Sequence, residues 1–316
     1  MTVSLDAVRD ARERLAGHAH VTPVVTCATL DRLAGRSLFF KCEHLQKGGA
    51  FKFRGAWNAV RQLPGDVARR GVVTHSSGNH AGALALAAKR LGITAWIVMP
   101  RTASPVKRAA VEEYGGLVVP CEPNQQAREE TAAKIQAETG ATLIPPYDHP
   151  DIIAGQGTIA LELLEQVPDL DAIIAPVGGG GMVAGLCVAA HGVNPRVRVL
   201  AAEPKEADDA WRSLTSGTWT PQAPPKTIAD GLMTSLGQLN WAILREHLDR
   251  VITVREDEIV AAMRLAWERA KLLIEPSSAV PLAALLGDEA RALPGLRRVG
   301  VVLSGGNVNL DALPWK

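Results

Sequence analysis

No apolar run in this 316-residue chain approaches the ~20 residues that a membrane-crossing helix requires, which excludes an anchor of that kind. Nor is there an excess of charge of either sign. The formal net charge is +1, so neither nucleic acid nor an anionic membrane is expected as a partner. Cysteine is scarce: Cys27, Cys42, Cys121 and Cys187 stand apart, without a CxxC or any ligand-like spacing. They read as reduced thiols of a cytoplasmic protein. The eight histidines form no HExxH. His18 and His20 make a lone HxH that reads as a solvated helix end, and zinc chemistry is not supported. No repeat period or low-complexity tract occurs, and "MTVSLDAVRDARERLAGHAH" is a charged amphipathic start rather than a signal peptide.

What is present is an alternation. Strand patterns at 37–43, 71–76, 94–100, 116–121, 172–177, 197–203 and 298–304 are separated by helical ones such as "NHAGALALAAKRLG". Such alternation predicts βαβ units and open, mostly parallel sheets flanked by helices, an α/β fold. Residues 68–145 hold several alternations in succession and are expected to form a lobe of their own beside 1–67 plus 146–316. "LTSGTWTPQAPPKT" (214–227) is expected to be a surface connector.

Three loops that follow strands are rich in Gly, Ser and Asn: "SSGNH" (76–80), "GGGG" (178–181) and "SGGN" (304–307). Loops in that position carry the ligands of open α/β sheets, and glycine lets backbone N–H groups approach an anion closely. Read from Gly179, "GGGGMVAG" also satisfies a dinucleotide fingerprint, with Glu203 near where a ribose-binding acid would be sought. A nicotinamide oxidoreductase is therefore an alternative on spacing alone. "KGGAFKFRGA" (47–56) breaks the tie. Lys52 between Phe51 and Phe53 is expected to lose hydration and with it part of its affinity for a proton, as a Schiff-base amine requires. The competing reading makes Lys47, Lys52 and Arg54 a solvated basic helix start. An aldehyde that also carries a phosphate explains both the lysine and the glycine cup; pyridoxal phosphate is such a molecule.

Taken together, "FKFRGAWNAV", "THSSGNHAGALALAAK", "IIAGQGTIALELL", "PVGGGGMVAG", "AAEPKEADD", "TIADGL", "WERAKLLIEPSSAV" and "VLSGGNV" resemble the fold-type II pyridoxal-phosphate enzymes of the serine/threonine dehydratase and serine racemase group. The resemblance covers nearly the whole chain. It implies a two-domain, tryptophan synthase β-like fold, the larger part (1–67 plus 146–316) binding the cofactor and the smaller (68–145) gating substrate. It implies Lys52 as the residue joined to the cofactor, Phe51 against its ring, and Gly178, Gly179, Gly180, Gly181 and Met182 around its phosphate. Asn79 is expected at the phenolic oxygen with Gly231 nearby, and Ser304 at the pyridine nitrogen. Ser76, Ser77, Gly78, Asn79 and His80 would receive the substrate carboxylate, with Arg128 closing over it. Glu203, Asp209 and the carbonyl of Ala207 resemble a site for Mg²⁺, Ca²⁺ or Mn²⁺.

The activity implied is β-elimination of L-serine or L-threonine to a 2-oxo acid and ammonia, with 3-hydroxyaspartate ammonia-lyase and serine racemase as alternatives. Lys52 would take the α-proton, and Ser77 would lie on the opposite face. A metabolite-sensing module that binds the cofactor without turnover is a further alternative. A homodimer or homotetramer is expected. Two departures bear on substrate choice: Gly48 stands where the family usually has Thr or Ser, and Ala81 and Gly82 stand where a glutamine is often close by. With only "SGGNVNLDALPWK" to follow, no C-terminal regulatory domain is expected.

Overall fold

The computed structural model of the chain describes residues 3–103 and 105–315, Val106 by its backbone alone. All seven expected strands form, within a few residues of their expected limits, and three short or edge strands join them. The strands are β1 (Val24–Val25), β2 (Ser37–Lys41), β3 (Val72–His75), β4 (Ala95–Pro100), β5 (Leu117–Cys121), β6 (Thr142–Leu143), β7 (Ala172–Pro176), β8 (Arg198–Pro204), β9 (Arg250–Val254) and β10 (Arg298–Val302). They make a six-stranded sheet, β1-β2-β10-β7-β8-β9, and a four-stranded sheet, β5-β4-β3-β6. Every pairing is parallel except β1 with β2. The second sheet lies wholly within 72–143.

The larger sheet is covered on both faces, which is why β7 is buried at every position. One face packs on the helices Leu5–Leu15, Pro150–Gln166, Gly181–Val193 and Gln238–His247 through Ile159, Leu163, Val183 and Leu244. The other packs on Ala28–Ala34, Glu256–Leu265 and Pro276–Leu286 through Leu30, Ile259 and Leu282. From β7 the chain runs to β8 and β9 on one side, whereas β10 lies on the other. The loops after β7 and β10 therefore flank the point where strand order reverses, the usual ligand crevice of such sheets.

Three helices are held backbone against backbone. In Pro150–Gln166 every residue from Ile152 to Leu164 is buried. On one side it crosses the helix Lys52–Arg61, where a Cβ on Gly155 would fall 2.6 Å from Gly55 Cα. On the other it crosses Gly181–Val193, where a Cβ on Gly185 would fall 2.6 Å from Gly157 N. Carbon atoms cannot approach so closely, so only glycine fits at both crossings. Beside the first crossing, Arg54 is fully buried and bonds Glu43 at 2.8 Å and Glu162 at 2.6 Å, and Lys41 bonds Glu162 at 2.6 Å. Two cations face two carboxylates, which corrects the reading of Arg54 as part of a solvated helix start.

Gly185→Ala is expected to cost about 1–3 kcal/mol of stability by overpacking. Denaturant unfolding should show this as a lower midpoint, and an unchanged midpoint would mean that the helices can separate freely.

Candidate active site

Three loops meet at the C-terminal edge of the larger sheet because their strands, β2, β10 and β7, are neighbours. Residues 42–52 follow β2, 304–307 follow β10 and 178–181 follow β7. A bridge between Ala50 and Gly305, and the bond from Phe51 N to the carbonyl of Ser304 at 3.0 Å, tie the first two together. The turn into Lys52 uses two left-handed glycines, Gly48 and Gly49, each with φ of 72°. A Cβ on Gly48 would meet no atom within 4 Å, so backbone conformation rather than space accounts for glycine there.

Lys52 opens its helix half-buried, and its Nζ donates to the carbonyl of Pro146 at 2.7 Å. Loss of hydration lowers its pKa to about 8. The two phenylalanines share this task unequally. Phe51 lies with its ring centre 5.1 Å from Nζ, whereas Phe53 turns away and stacks on Trp57 at 5.8 Å. Phe53 thus anchors the helix, a correction to the expectation that both rings shield the amine. His18 stacks on Trp57 at 4.4 Å rather than standing in solvent.

The residue after Pro146 leads to the glycine loop. The ring of Tyr147 covers Gly179, and a Cβ on Gly181 would lie 2.6 Å from the carbonyl of Tyr147. Asn240 Nδ2 donates to Gly179 O at 2.6 Å, and Gly237 N to the same oxygen at 3.0 Å. Gly178 backs onto Gly231 and Leu232, its Cβ position 3.3 Å from Gly231 O. Gly180 takes a left-handed φ of 91° to turn the chain into the helix Gly181–Val193. The carbonyl of Gly179 is thus engaged, while among the described residues no N–H of 178–182 donates to a loop or turn carbonyl. Those N–H groups, at the start of a 13-residue helix, fit a phosphate. Met182 offers only its backbone, its side chain being buried in the core.

The smaller sheet supplies the opposite rim. Ser76–Gly78 follow β3, and the helix Asn79–Leu91 begins without a side-chain cap, Ala81 N turning back to Gly78 O at 3.0 Å. Ser76 Oγ accepts from Gly78 N at 3.4 Å, and Ser77 is half-buried. His80 is buried, its Nε2 at 3.1 Å from the carbonyl of Ile144. Desolvation, then the charge of Lys52, pushes it down to about 3, which keeps it a neutral and only weakly basic imidazole. Asn79 Nδ2 donates to Glu275 at 2.7 Å. Ser304 is buried as well. Arg128 lies on the helix Gln125–Thr139, with a buried Nε that has no partner among the described residues. His75, next to Ser76, feels its charge. Sequence reasoning did not assign Pro146, Tyr147, Asn240, Glu275 or Asn307. The Pro-Pro pair before Tyr147 signals a turn, but nothing in it signals the contact with Lys52.

Glu203, Ala207 and Asp209 gather at the end of β8, all buried. Glu203 accepts from the N–H groups of Ala210 and Trp211, and Asp209 Oδ2 from Leu236 N at 2.7 Å. Burial raises both carboxyls, Asp209 to about 6, and the charge of Asp209 further disfavours ionisation of Glu203. Among the described residues no group of three His, Cys, Asp or Glu side chains converges. Two buried acids beside a backbone carbonyl nonetheless fit a hard cation. Sealed beneath the helix Asp209–Ser216, Glu203 cannot reach a ribose, which removes the dinucleotide reading of the glycine loop.

Comparison with known proteins points the same way. Residues 15–305 match the family described as pyridoxal-phosphate dependent enzyme. The chain is 50% identical to beta-hydroxyaspartate dehydratase of Paracoccus denitrificans, over 96% of each chain. It is 51% identical to serine racemase of Arabidopsis thaliana, over 97% of this chain and 94% of that one. Maize serine racemase superposes with a TM-score of 0.97 at 46% identity, covering 98% of this chain and 95% of that one. A threonine deaminase of T.th. superposes with 0.92 at 45%, covering 97% and 99%. Matching in sequence and fold alike, the chain belongs to the pyridoxal-phosphate dependent enzymes, among the fold-type II serine/threonine dehydratases and racemases.

Proposed function

We propose that the chain removes ammonia from a small L-β-hydroxy amino acid such as serine or threonine, releasing a 2-oxo acid. The observation that carries this reading is one amine, Lys52, lowered to about 8 by burial and held beside a loop whose N–H groups suit a phosphate. Relatives named as a beta-hydroxyaspartate dehydratase and a threonine deaminase support the reaction class.

Lys52 and the N–H groups of 178–182 would hold pyridoxal phosphate, with Phe51 and Tyr147 against it and Asn79, Gly231 and Ser304 around its ring. When bound, the cofactor supplies the electron sink for carbanion chemistry at Cα. The amides of 76–80 receive the substrate carboxylate at a helix start. As a free amine, Lys52 Nζ would take the Cα proton as general base, for which a lowered pKa suits it. The β-hydroxyl would leave as water by taking up the proton that Lys52 Nζ removed from Cα, and a second water would then hydrolyse the enamine to the 2-oxo acid and ammonia. Ser304 is a neutral hydroxyl and does not keep a ring nitrogen protonated as an aspartate would. That limits the sink and favours carbanions consumed at once, as in elimination. Ser77, on the rim opposite Lys52, returns a proton to Cα from the other face, which gives a racemase side activity. The smaller lobe, 68–145, carries this rim and gates the substrate.

A second reading, 3-hydroxyaspartate as substrate, is favoured by the unpartnered Nε of Arg128 near the Ser76 loop, a cation for a second carboxylate. A panel of serine, threonine and 3-hydroxyaspartate scored by 2-oxo acid release ranks the two. We also read Glu203, Asp209 and the carbonyl of Ala207 as holding Mg²⁺, Ca²⁺ or Mn²⁺.

Three outcomes are expected. Borohydride should fix pyridoxal phosphate to Lys52, and Lys52→Ala should abolish both that adduct and 2-oxo acid release. An adduct on another lysine, seen by peptide mapping, would refute the central assignment. Ser77→Ala should lower D-serine formation from L-serine by about tenfold or more while pyruvate formation is largely kept, because general acid–base groups contribute about 10²–10⁴ to the step they serve. Equal loss of both products would remove the two-sided mechanism. Added Mg²⁺, Ca²⁺ or Mn²⁺ should raise the melting temperature at pH 7.5, and less as pH falls through about 6, where Asp209 takes up its proton. Asp209→Asn should abolish the rise, and a rise that persists in that variant would place the cation elsewhere.

A further inference from the structure

Glu275 is a buried carboxylate that the mechanism above does not use. The chain takes trouble to bring it inward. The helix Glu256–Leu265 widens into a π-helical turn, Ala266–Ala270, and Lys271 follows in the left-handed region at φ 59°. Such a conformation is costly for a residue with a side chain and is kept only where the surroundings enforce it. Trp267 Nε1 donates to Ile274 O at 3.0 Å, and Glu275 N to Gly305 O at 3.0 Å, so the segment is pinned at both ends. Gly305 in turn admits no side chain, since its Cβ position lies 2.6 Å from Glu275 Oε1 and 3.0 Å from Asn79 Nδ2.

The hydrogen bonds made here fix one amide. Asn307 Nδ2 donates to Gly48 O at 2.8 Å and to Asn79 Oδ1 at 2.9 Å, which uses both of its hydrogens. Asn79 Oδ1 is therefore turned to Asn307. Asn79 Nδ2 donates one hydrogen to Glu275 Oε1 at 2.7 Å, and Glu275 Oε2 accepts from Asn307 N at 3.2 Å. Burial, and then the charge of Asp230, raise the Glu275 carboxyl to about 7, so above that pH it is ionised and only accepts, and the Asn79 amide then cannot be flipped without placing two acceptors face to face. One hydrogen on Asn79 Nδ2 is left over beside Gly305, the residue that follows Ser304.

We propose that Glu275 is a positioning residue that locks Asn79 as a hydrogen-bond donor toward the bound cofactor, matched to an anionic phenolic oxygen. The inference rests on the reading that pyridoxal phosphate is joined to Lys52, and it adds the group that sets the ionisation of the ring oxygen. Without the carboxylate the amide is free to present its own oxygen, which an anionic phenolate repels.

The test compares wild type, Glu275→Gln and the double variant Glu275→Gln/Asn79→Asp, each stripped of cofactor and titrated with pyridoxal phosphate. Glu275→Gln is expected to lower affinity by at least about tenfold, the size of one lost hydrogen bond to a charged group. It should also shift the bound cofactor from the yellow absorption of the anionic ring oxygen toward the near-ultraviolet band of the neutral one. In the double variant the amide now at position 275 can donate to the carboxylate now at position 79. The clamp then re-forms, but that carboxylate has no hydrogen to give to the cofactor. Neither affinity nor colour should therefore return. Recovery of both in the double variant, or wild-type affinity and colour in Glu275→Gln, overturns the proposal. Should Glu275→Gln fail to fold, Asn307→Ala frees the same amide from the exposed side, and the same spectral shift is expected; an unchanged spectrum overturns the proposal. Borohydride labelling of wild type at Lys52 separates the two levels: if that fails, the reading of the site falls, whereas if it succeeds only the role of Glu275 is in question.

Discussion

Everything at the site is referred to one buried helix, Pro150–Gln166, which touches both of its neighbours through bare backbone. Gly55 with Gly155 on one side, and Gly157 with Gly185 on the other, let the helix that begins at Lys52 and the helix that begins at Gly181 pack against the same rod. Lys52 and the glycine loop 178–181 stand at the N-terminal ends of the two outer helices. Their separation is thus set by main-chain contact, which side-chain rotamers cannot adjust. A methyl group at either crossing would move one half of the site relative to the other.

The cluster of Lys41, Glu43, Arg54 and Glu162 serves the same end by different means. Buried pairs of this kind add little net stability over apolar packing, but the loss of one partner leaves an uncompensated charge at a cost of about 3–5 kcal/mol. Arg54 lies two residues from Lys52, while Lys41 and Glu43 flank the end of β2. The four charges therefore fix the register between strand, loop and helix.

The parallel architecture was legible because its strands are short apolar runs between helices of clear period, and so were the glycine loops and Lys52. What escaped falls into two kinds. β1, β6 and β9 are two-residue or edge strands, and β9 ("RVITV") is a five-residue run that did not stand out among the helical patterns around it. Phe53 and Arg54 were misjudged because neighbours along the chain point to different sides of a helix. Phe53 faces Trp57, and Arg54 faces two acids more than ten residues away in sequence. Pro146, Tyr147, Glu275 and Asn307 act through carbonyls, ring faces and amides supplied by distant segments, and nothing in their immediate sequence marks such a partner.

The chain passes between the two sheets twice, outward through the helix Lys52–Arg61 and back through residues 144–149, and the bond from Lys52 Nζ to Pro146 O joins these crossings. The smaller sheet is therefore not hung on its two linkers alone. It is tied to the larger part in the depth of the site by that bond, and nearer the surface by Asn79 to Glu275 and Lys107 to Asp230. Chain crossings and side-chain ties thus converge on the same few residues, and a change in any one of them is felt by both sheets.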